Sequence, residues 1–154
     1  MLINLLCGLS IMGLCLLLQS VLLVTALRYY VYRQTRITTP SFWSSMIFIN
    51  FVMVLLVIGN IAQVAIWAVL FLYLGEFSEF GEAVYHSAVN FATLGYGDIV
   101  MSAKYKLLGP LEAINGVLMI GMSTAALMAA FQDAIRKITA TREKYKAKSA
   151  GCLE

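Results

Sequence analysis

Long stretches without a charged side chain constrain this sequence more than any other feature. Residues 1–27 and 37–75 contain no charged residue, and a third stretch, 107–131, contains only Glu112 near its start. A helix needs about 20 consecutive apolar residues to cross a bilayer, so each stretch is long enough, with the second span expected at about 46–74. Only 12% of the 154 residues are charged, against about 25% in soluble domains. The sequence therefore predicts an all-α membrane protein with three transmembrane helices.

A glycine-containing loop separates the second and third predicted spans. The segment 77–92 is too short and too polar to cross a bilayer, and Thr93-Leu94-Gly95-Tyr96-Gly97-Asp98 follows it directly. Irregular backbone is tolerated at membrane depth only where protein surrounds it or where it lines a water-filled cavity. Glycine lets successive carbonyl groups point the same way, and a ring of carbonyl oxygens can replace the hydration shell of an ion. The pattern predicts a re-entrant helix followed by a loop that lines an aqueous axis.

This loop resembles the potassium-channel signature Thr-Val-Gly-Tyr-Gly-Asp, with Leu94 in the place of the valine. Downstream, the segment 121–127 is similar to the inner helix of bacterial two-helix potassium channels, so the resemblance covers about residues 77–133. It implies a potassium-selective channel with one pore helix and one selectivity-filter loop in each chain. A single loop cannot enclose an ion, so the resemblance also implies a homotetramer of identical subunits around an axis.

The resemblance also implies roles for individual residues. Asp98 and His86, the one histidine of the chain, are expected to support the filter. No cofactor is expected, because K⁺ is the permeant ion. The residues implied to bind K⁺ are Thr93, Leu94, Gly95, Tyr96 and Gly97, and those implied for the cavity and gate are Gly116 (as a flexible point), Val117, Ile120, Thr124, Ala125 and Met128.

Two polar residues leave alternatives open. His86 stands where the family often has a tryptophan that bonds the filter aspartate. Either it bonds Asp98, which would make the outer filter sensitive to pH near neutrality, or it is a neutral histidine packed between helices. Glu112 follows Pro110 at a helix start, where the helix dipole favours a carboxylate. A contact between Glu112 and the pore helix is the alternative.

Basic residues predict the orientation in the membrane. Nine of the eleven lysines and arginines follow the first or the third span, which predicts a multi-pass cell-membrane protein with its N-terminus outside and its C-terminus cytoplasmic. The expected domains are an extra helix with a basic loop (1–45), a pore domain (46–133) and a basic tail (134–154) suited to anionic lipid headgroups. The rival interpretation, a signal peptide over residues 1–27, lacks a positive n-region and exceeds the usual length of an h-region.

Other classes of function have less support in the sequence. The net charge of +3 is too small to suggest nucleic-acid binding, and no Ser–His–Asp order, His/Cys metal cluster or phosphate loop suggests an enzyme. Cys7 and Cys15 lie in an apolar run and are expected to pack rather than to bind metal. Two alternatives remain beside the potassium channel. One is a weakly selective cation channel, and the other is a non-conducting regulatory or scaffold subunit that keeps the pore fold.

Overall fold

The chain forms a bundle of helices in a computed structural model that describes residues 2–34 and 42–150. There are four helices and, within those two ranges, no strand: α1 (Leu2–Gln34), α2 (Phe42–Tyr73), α3 (Phe80–Phe91) and α4 (Leu108–Ala150). Three of the helices contain segments long and apolar enough to span a membrane, at Asn4–Ala26, Ile49–Tyr73 and Leu108–Arg136. The predicted all-α fold, with three membrane-length helices and one short helix before the glycine-containing loop, is confirmed.

α4 continues well beyond a membrane-spanning length. Its 43 residues correspond to about 65 Å at 1.5 Å per residue, roughly twice the hydrocarbon core of about 30 Å. The tail predicted to begin at residue 134 therefore continues the same helix to Ala150. Arg36 and Cys152 lie outside the described residues, and so do the side chains of Arg33 and of the basic residues that follow Arg136.

The core lies where α1, α2 and α4 meet. Cys15 of α1, Trp67 and Phe71 of α2, and Leu108 of α4 are fully buried and form one cluster, with the Trp67 and Phe71 ring centroids 5.9 Å apart. Cys15 is a free thiol, as expected of a packing residue. Because α1 contributes to this core, it is an integral helix of the folded domain and packs against both of its apolar neighbours.

Three polar side chains join the same helices inside the apolar region, and we call them the glutamine bridge. The side-chain amide of Gln63 on α2 donates to Gln19 Oε1 on α1 at 2.9 Å. The amide of Gln19 donates in turn to Ser123 Oγ on α4, also at 2.9 Å, and Ser123 donates to the Met119 carbonyl oxygen at 2.8 Å. Both glutamines are fully buried. The bridge therefore joins α1 to α2, which precedes α3 and the loop, and to α4, which follows them.

Gln19→Leu should destabilise the fold, since it removes the middle of the glutamine bridge at nearly constant volume. Hydrogen bonds between membrane helices contribute about 0.6 kcal/mol on average, and an orphaned buried partner adds about 1–3 kcal/mol. We expect a loss of about 1–3 kcal/mol in the free energy of unfolding, measured by denaturant titration in detergent micelles.

Ser20→Ala is the matched control, because Ser20 is exposed and donates only to the Leu16 carbonyl oxygen of its own helix. Its effect should stay within about 0.5 kcal/mol. Equal stabilities of the Gln19→Leu and Ser20→Ala variants would show that the bridge does not stabilise the fold.

Candidate functional site

The short helix α3 ends in a hydrogen-bonded turn that begins the glycine-containing loop. The Thr93 N–H donates to the Asn90 carbonyl at 2.8 Å, and the Leu94 N–H donates to the Val89 carbonyl at 2.9 Å. These two bonds form the Schellman motif, in which the residue after the helix takes the left-handed conformation. That residue is Thr93, with φ 59°. Glycine usually holds this position, so a β-branched threonine there is an outlier.

The backbone of the loop alternates between two conformations. Thr93, Gly95 and Gly97 have positive φ values of 59°, 56° and 74°, while Leu94 and Tyr96 between them do not. In an extended strand successive carbonyls point in opposite directions, and alternating left-handed residues turn them toward a common side. Glycine takes this conformation at no steric cost. The alternation of φ is thus the backbone pattern by which a chain can turn successive carbonyl groups to one side.

The loop is exposed within the single chain. All the residues from Thr93 to Asp98 are exposed, and the Tyr96 side chain retains 66% of its accessible surface. A buried tyrosine usually has apolar contacts for its ring and a hydrogen-bond partner for its hydroxyl. Within the single chain, most of the Tyr96 side chain is left uncovered.

The far end of the loop is anchored by Asp98. The Tyr85 hydroxyl donates to Asp98 Oδ2 at 2.7 Å, and the Ile99 N–H donates to Asp98 Oδ1 at 3.0 Å. The hydrogen bond from Tyr85 is the main cause that lowers the pKa of Asp98 below its usual value. The aspartate therefore stays ionised and ties the end of the loop to α3.

His86 does not make the bond to Asp98 that was one of the two expectations for it. Its Nδ1 lies 3.1 Å from the Ile99 carbonyl oxygen, and its Nε2 lies 2.9 Å from the Asn90 amide nitrogen. A carbonyl oxygen can only accept, so Nδ1 carries the proton and Nε2 accepts from Asn90. Burial lowers the pKa of His86, with the hydrogen bond to Ile99 and nearby carboxylates acting in the opposite direction. The alternative expectation, a neutral histidine packed between helices, describes what the structure contains.

A pair of hydrogen bonds between Glu76 and Ser102 holds the segment after the loop, and the sequence had not indicated it. The Ser102 N–H and hydroxyl donate to the two carboxylate oxygens of Glu76, each at 2.6 Å. Glu76 follows the end of α2 and Ser102 precedes α4, so these hydrogen bonds join the two connections on either side of α3. Both residues lie in short polar stretches, and neither spacing nor residue type distinguishes them from ordinary loop residues.

The buried face of α3 contacts α2 and α4 through Ser87. The Ser87 hydroxyl is hydrogen-bonded to the Val64 carbonyl oxygen of α2 at 2.8 Å and to Glu112 Oε1 of α4. Ser87 and Glu112 are fully buried. Of the two expectations for Glu112, the contact with the short helix α3 is present in the structure, and the favourable effect of the helix dipole stays a prediction.

Gly116 allows the closest approach between α3 and α4. A Cβ atom at Gly116 would lie 2.0 Å from the Phe91 carbonyl oxygen, which is far inside van der Waals contact. Close packing therefore explains this glycine, and the flexibility expected of it stays a prediction. The other residues predicted for the cavity and gate are exposed in the single chain: Val117, Ile120, Thr124, Ala125 and Met128.

A protein-family model with the description "Ion channel" matches residues 54–133. The match covers more than half of the sequence and runs from α2 through α3 and the loop into α4. The chain belongs to this ion channel family. The match confirms the resemblance to potassium-channel pores that the loop and inner-helix motifs suggested. No curated protein and no solved structure matches the channel.

Gly116→Ala should destabilise the channel fold, although alanine favours a helix by about 1 kcal/mol over glycine. The added methyl group would collide with backbone that cannot rotate away, and overpacking of this kind costs typically 1–3 kcal/mol. Gly121→Ala is the control on the same helix, because, apart from the adjacent residues and the nearby backbone of α4 itself, nothing in the chain lies within 4 Å of its Cβ position. Thermal unfolding in detergent should show a lower midpoint for the first variant alone. A raised midpoint for Gly116→Ala would instead identify Gly116 as a flexible point.

Tyr85→Phe should raise the pKa of Asp98 toward its usual value, because it removes the main hydrogen bond to the carboxylate. The pKa of the carboxyl group is lowered in the folded channel, so its contribution to stability is complete above the usual pKa. That contribution is lost as pH falls through the lowered value. In the variant this contribution should be smaller, and the carboxyl group of Asp98 should titrate at a higher pH, which ¹³C NMR titration of the labelled carboxyl would detect. Tyr73→Phe is the control, since Tyr73 is 88% exposed at the end of α2. Identical titration curves in wild type and Tyr85→Phe would contradict the assignment.

Proposed function

We propose that the chain is one subunit of a potassium-selective channel, whose filter is formed by the backbone from Thr93 to Gly97. The observation that carries the proposal is the alternation of φ along this loop, because it aligns carbonyl oxygens within a Thr-Leu-Gly-Tyr-Gly sequence. Carbonyl oxygens in such a row replace the hydration shell of a dehydrated K⁺ ion. The hydroxyl of Thr93 adds one more oxygen at the inner end, and no cofactor takes part.

Four identical subunits are needed in this proposal. Each chain contains one such loop, and closed point-group symmetry is the general way in which identical subunits surround an axis. The exposure of Leu94 and Tyr96, at 54% and 66%, supports the assembly, since neighbouring subunits would cover these side chains. The support from His86 and Asp98 would then act indirectly, through α3 and the anchored end of the loop.

The exposed face of α4 is proposed to line the cavity below the filter. Thr124 is exposed there, while the adjacent Ser123 is buried against α1 in the glutamine bridge. This division favours the predicted register, in which the cavity and gate residues are Val117, Ile120, Thr124, Ala125 and Met128, with Gly116 at the pore helix.

The membrane orientation is also part of the proposal. The side chain of Asn4, near the start of α1, donates to the Lys104 carbonyl in the segment after the filter loop. The N-terminal end of α1 and the Asp98 end of the filter therefore share one side of the subunit. The positive-inside rule assigns that side to the exterior, which leaves the basic C-terminal tail in the cytoplasm near anionic lipids.

Gly95→Ala should abolish the preference for K⁺ over Na⁺ in proteoliposome flux. Gly95 has φ 56° and open space around its Cβ position, so alanine would strain only the backbone, by roughly 1–2 kcal/mol. Gly75→Ala is a matched control, because Gly75 has φ 74° and equally open space but lies between α2 and α3. Both variants should insert and assemble, and only Gly95→Ala should lose selectivity.

The same measurement separates the alternatives. Equal K⁺ and Na⁺ flux through the wild-type protein would indicate a weakly selective cation channel. The absence of flux from correctly assembled protein would indicate a regulatory or scaffold subunit. Normal selectivity in Gly95→Ala would contradict the assignment of the filter.

A further inference from the structure

The contacts of Ser87 determine where one buried proton must lie. A serine hydroxyl has a single proton to donate, together with lone pairs that accept. Ser87 Oγ is within hydrogen-bonding distance of two oxygens, the Val64 carbonyl oxygen at 2.8 Å and Glu112 Oε1. The Val64 carbonyl can only accept, so it takes the serine proton. The contact between Ser87 and Glu112 then needs a proton from the carboxyl group.

The surroundings of Glu112 agree with an uncharged carboxyl group. It lies in the membrane-length part of α4 and is fully buried. Within the described residues, Oε2 has no hydrogen-bond partner, although an ionised carboxylate would place half of its charge there. A buried charge without a partner is so costly that such a group usually takes up a proton instead.

No positive charge faces this carboxyl group from the described parts of the neighbouring helices. α1 contributes the Cys15 thiol and α2 contributes the Val64 carbonyl. α3 contributes Ser87 together with Asn90, whose side-chain amide is an uncharged hydrogen-bonding neighbour of the carboxyl group. His86 is one hydrogen bond farther away, where its Nε2 accepts from Asn90. Cys15 and His86 are the titratable groups of this set, and neither is a fixed cation.

We infer that Glu112 is a neutral carboxylic acid that donates its proton to Ser87 Oγ and thereby positions the pore helix. The resulting chain of hydrogen bonds runs from Glu112 on α4 through Ser87 on α3 to the Val64 carbonyl on α2. Each bond in this chain has a defined direction, because each oxygen except the last donates one proton. Glu112 is thus a positioning residue that acts on the filter through α3. This second role rests on the proposed function, whereas the protonation state does not.

Infrared spectroscopy of the reconstituted wild-type protein at neutral pH tests the protonation state directly. A protonated carboxyl group has a carbonyl stretch separate from the carboxylate and amide bands. Protein labelled with ¹³C-glutamate should show a label-sensitive band of this kind that disappears in Glu112→Gln. It should persist in Glu82→Gln, which makes the same change at an exposed position of α3. The absence of the band from wild type, or its persistence in Glu112→Gln, would overturn the inference.

Potassium flux through the same preparations tests the positioning role. Glu112→Gln keeps a donor for Ser87, because the side-chain amide replaces the carboxyl O–H, so its flux should remain close to that of wild type. Glu112→Met has a similar length but no donor. Its flux for each assembled channel should fall roughly tenfold, as expected for one lost buried hydrogen bond.

The outcomes of the two measurements separate the two proposals. Wild-type flux in Glu112→Met, or an equal loss in both variants, would overturn the positioning role. Protein that lacks K⁺ flux in every form would contradict the proposed function, but the infrared band would still decide whether Glu112 carries a proton. If Glu112→Met does not assemble, Glu112→Gln and the infrared band still test the donor assignment.

Discussion

The short helix α3, the proposed pore helix, has only 12 residues, and an isolated helix of that length is marginal in water. Its conformation therefore depends on the two helices that flank it. Ser87 reaches the Val64 carbonyl on α2, and Gly116 on α4 leaves room for the Phe91 carbonyl. Because the loop starts one residue after Ala92, any displacement of α3 moves the first residue of the proposed filter by the same amount. The position of the loop therefore depends on how closely α3 is packed against α2 and α4.

The strain at Thr93 supports the same view of the loop. A non-glycine residue held in a sparsely populated conformation costs about 1–3 kcal/mol and persists only where the surroundings determine it. Here the two hydrogen bonds that close α3 impose the left-handed φ of 59°. Glycine would satisfy the same turn without strain, so the presence of threonine favours a role for its side chain. In the proposed filter this hydroxyl would join the carbonyl oxygens of the loop, and oxygen ligands of this kind are what a hard cation prefers.

Chemical pattern was sufficient to predict the membrane-length helices, the short helix and the loop, because charge-free length and glycine spacing are properties of the sequence itself. It was not sufficient for the partners of side chains on α3. Adjacent helical residues point about 100° apart, so the expectation of a bond from His86 to Asp98 failed by one position, and Tyr85 supplies that bond instead. Ser87 gave no signal, since serine in a helix commonly bonds its own backbone. Gly116 was expected to add flexibility, although its close contact with Phe91 depends on a neighbouring helix that no local pattern specifies.

Ser123 and Thr124 of α4 point in different directions, because adjacent helical residues are about 100° apart. Ser123 faces α1 and accepts from Gln19, while Thr124 bonds only within its own helix and stays exposed. One face is therefore committed to packing inside the subunit, and the adjacent face is left for the cavity in the proposed tetramer. A rotation of α4 that moved Thr124 relative to the axis would also have to displace Ser123 from Gln19, or to carry α1 with it. Since Gln19 also accepts from Gln63 on α2, the N-terminal helix α1 resists such a movement by holding α4 against α2.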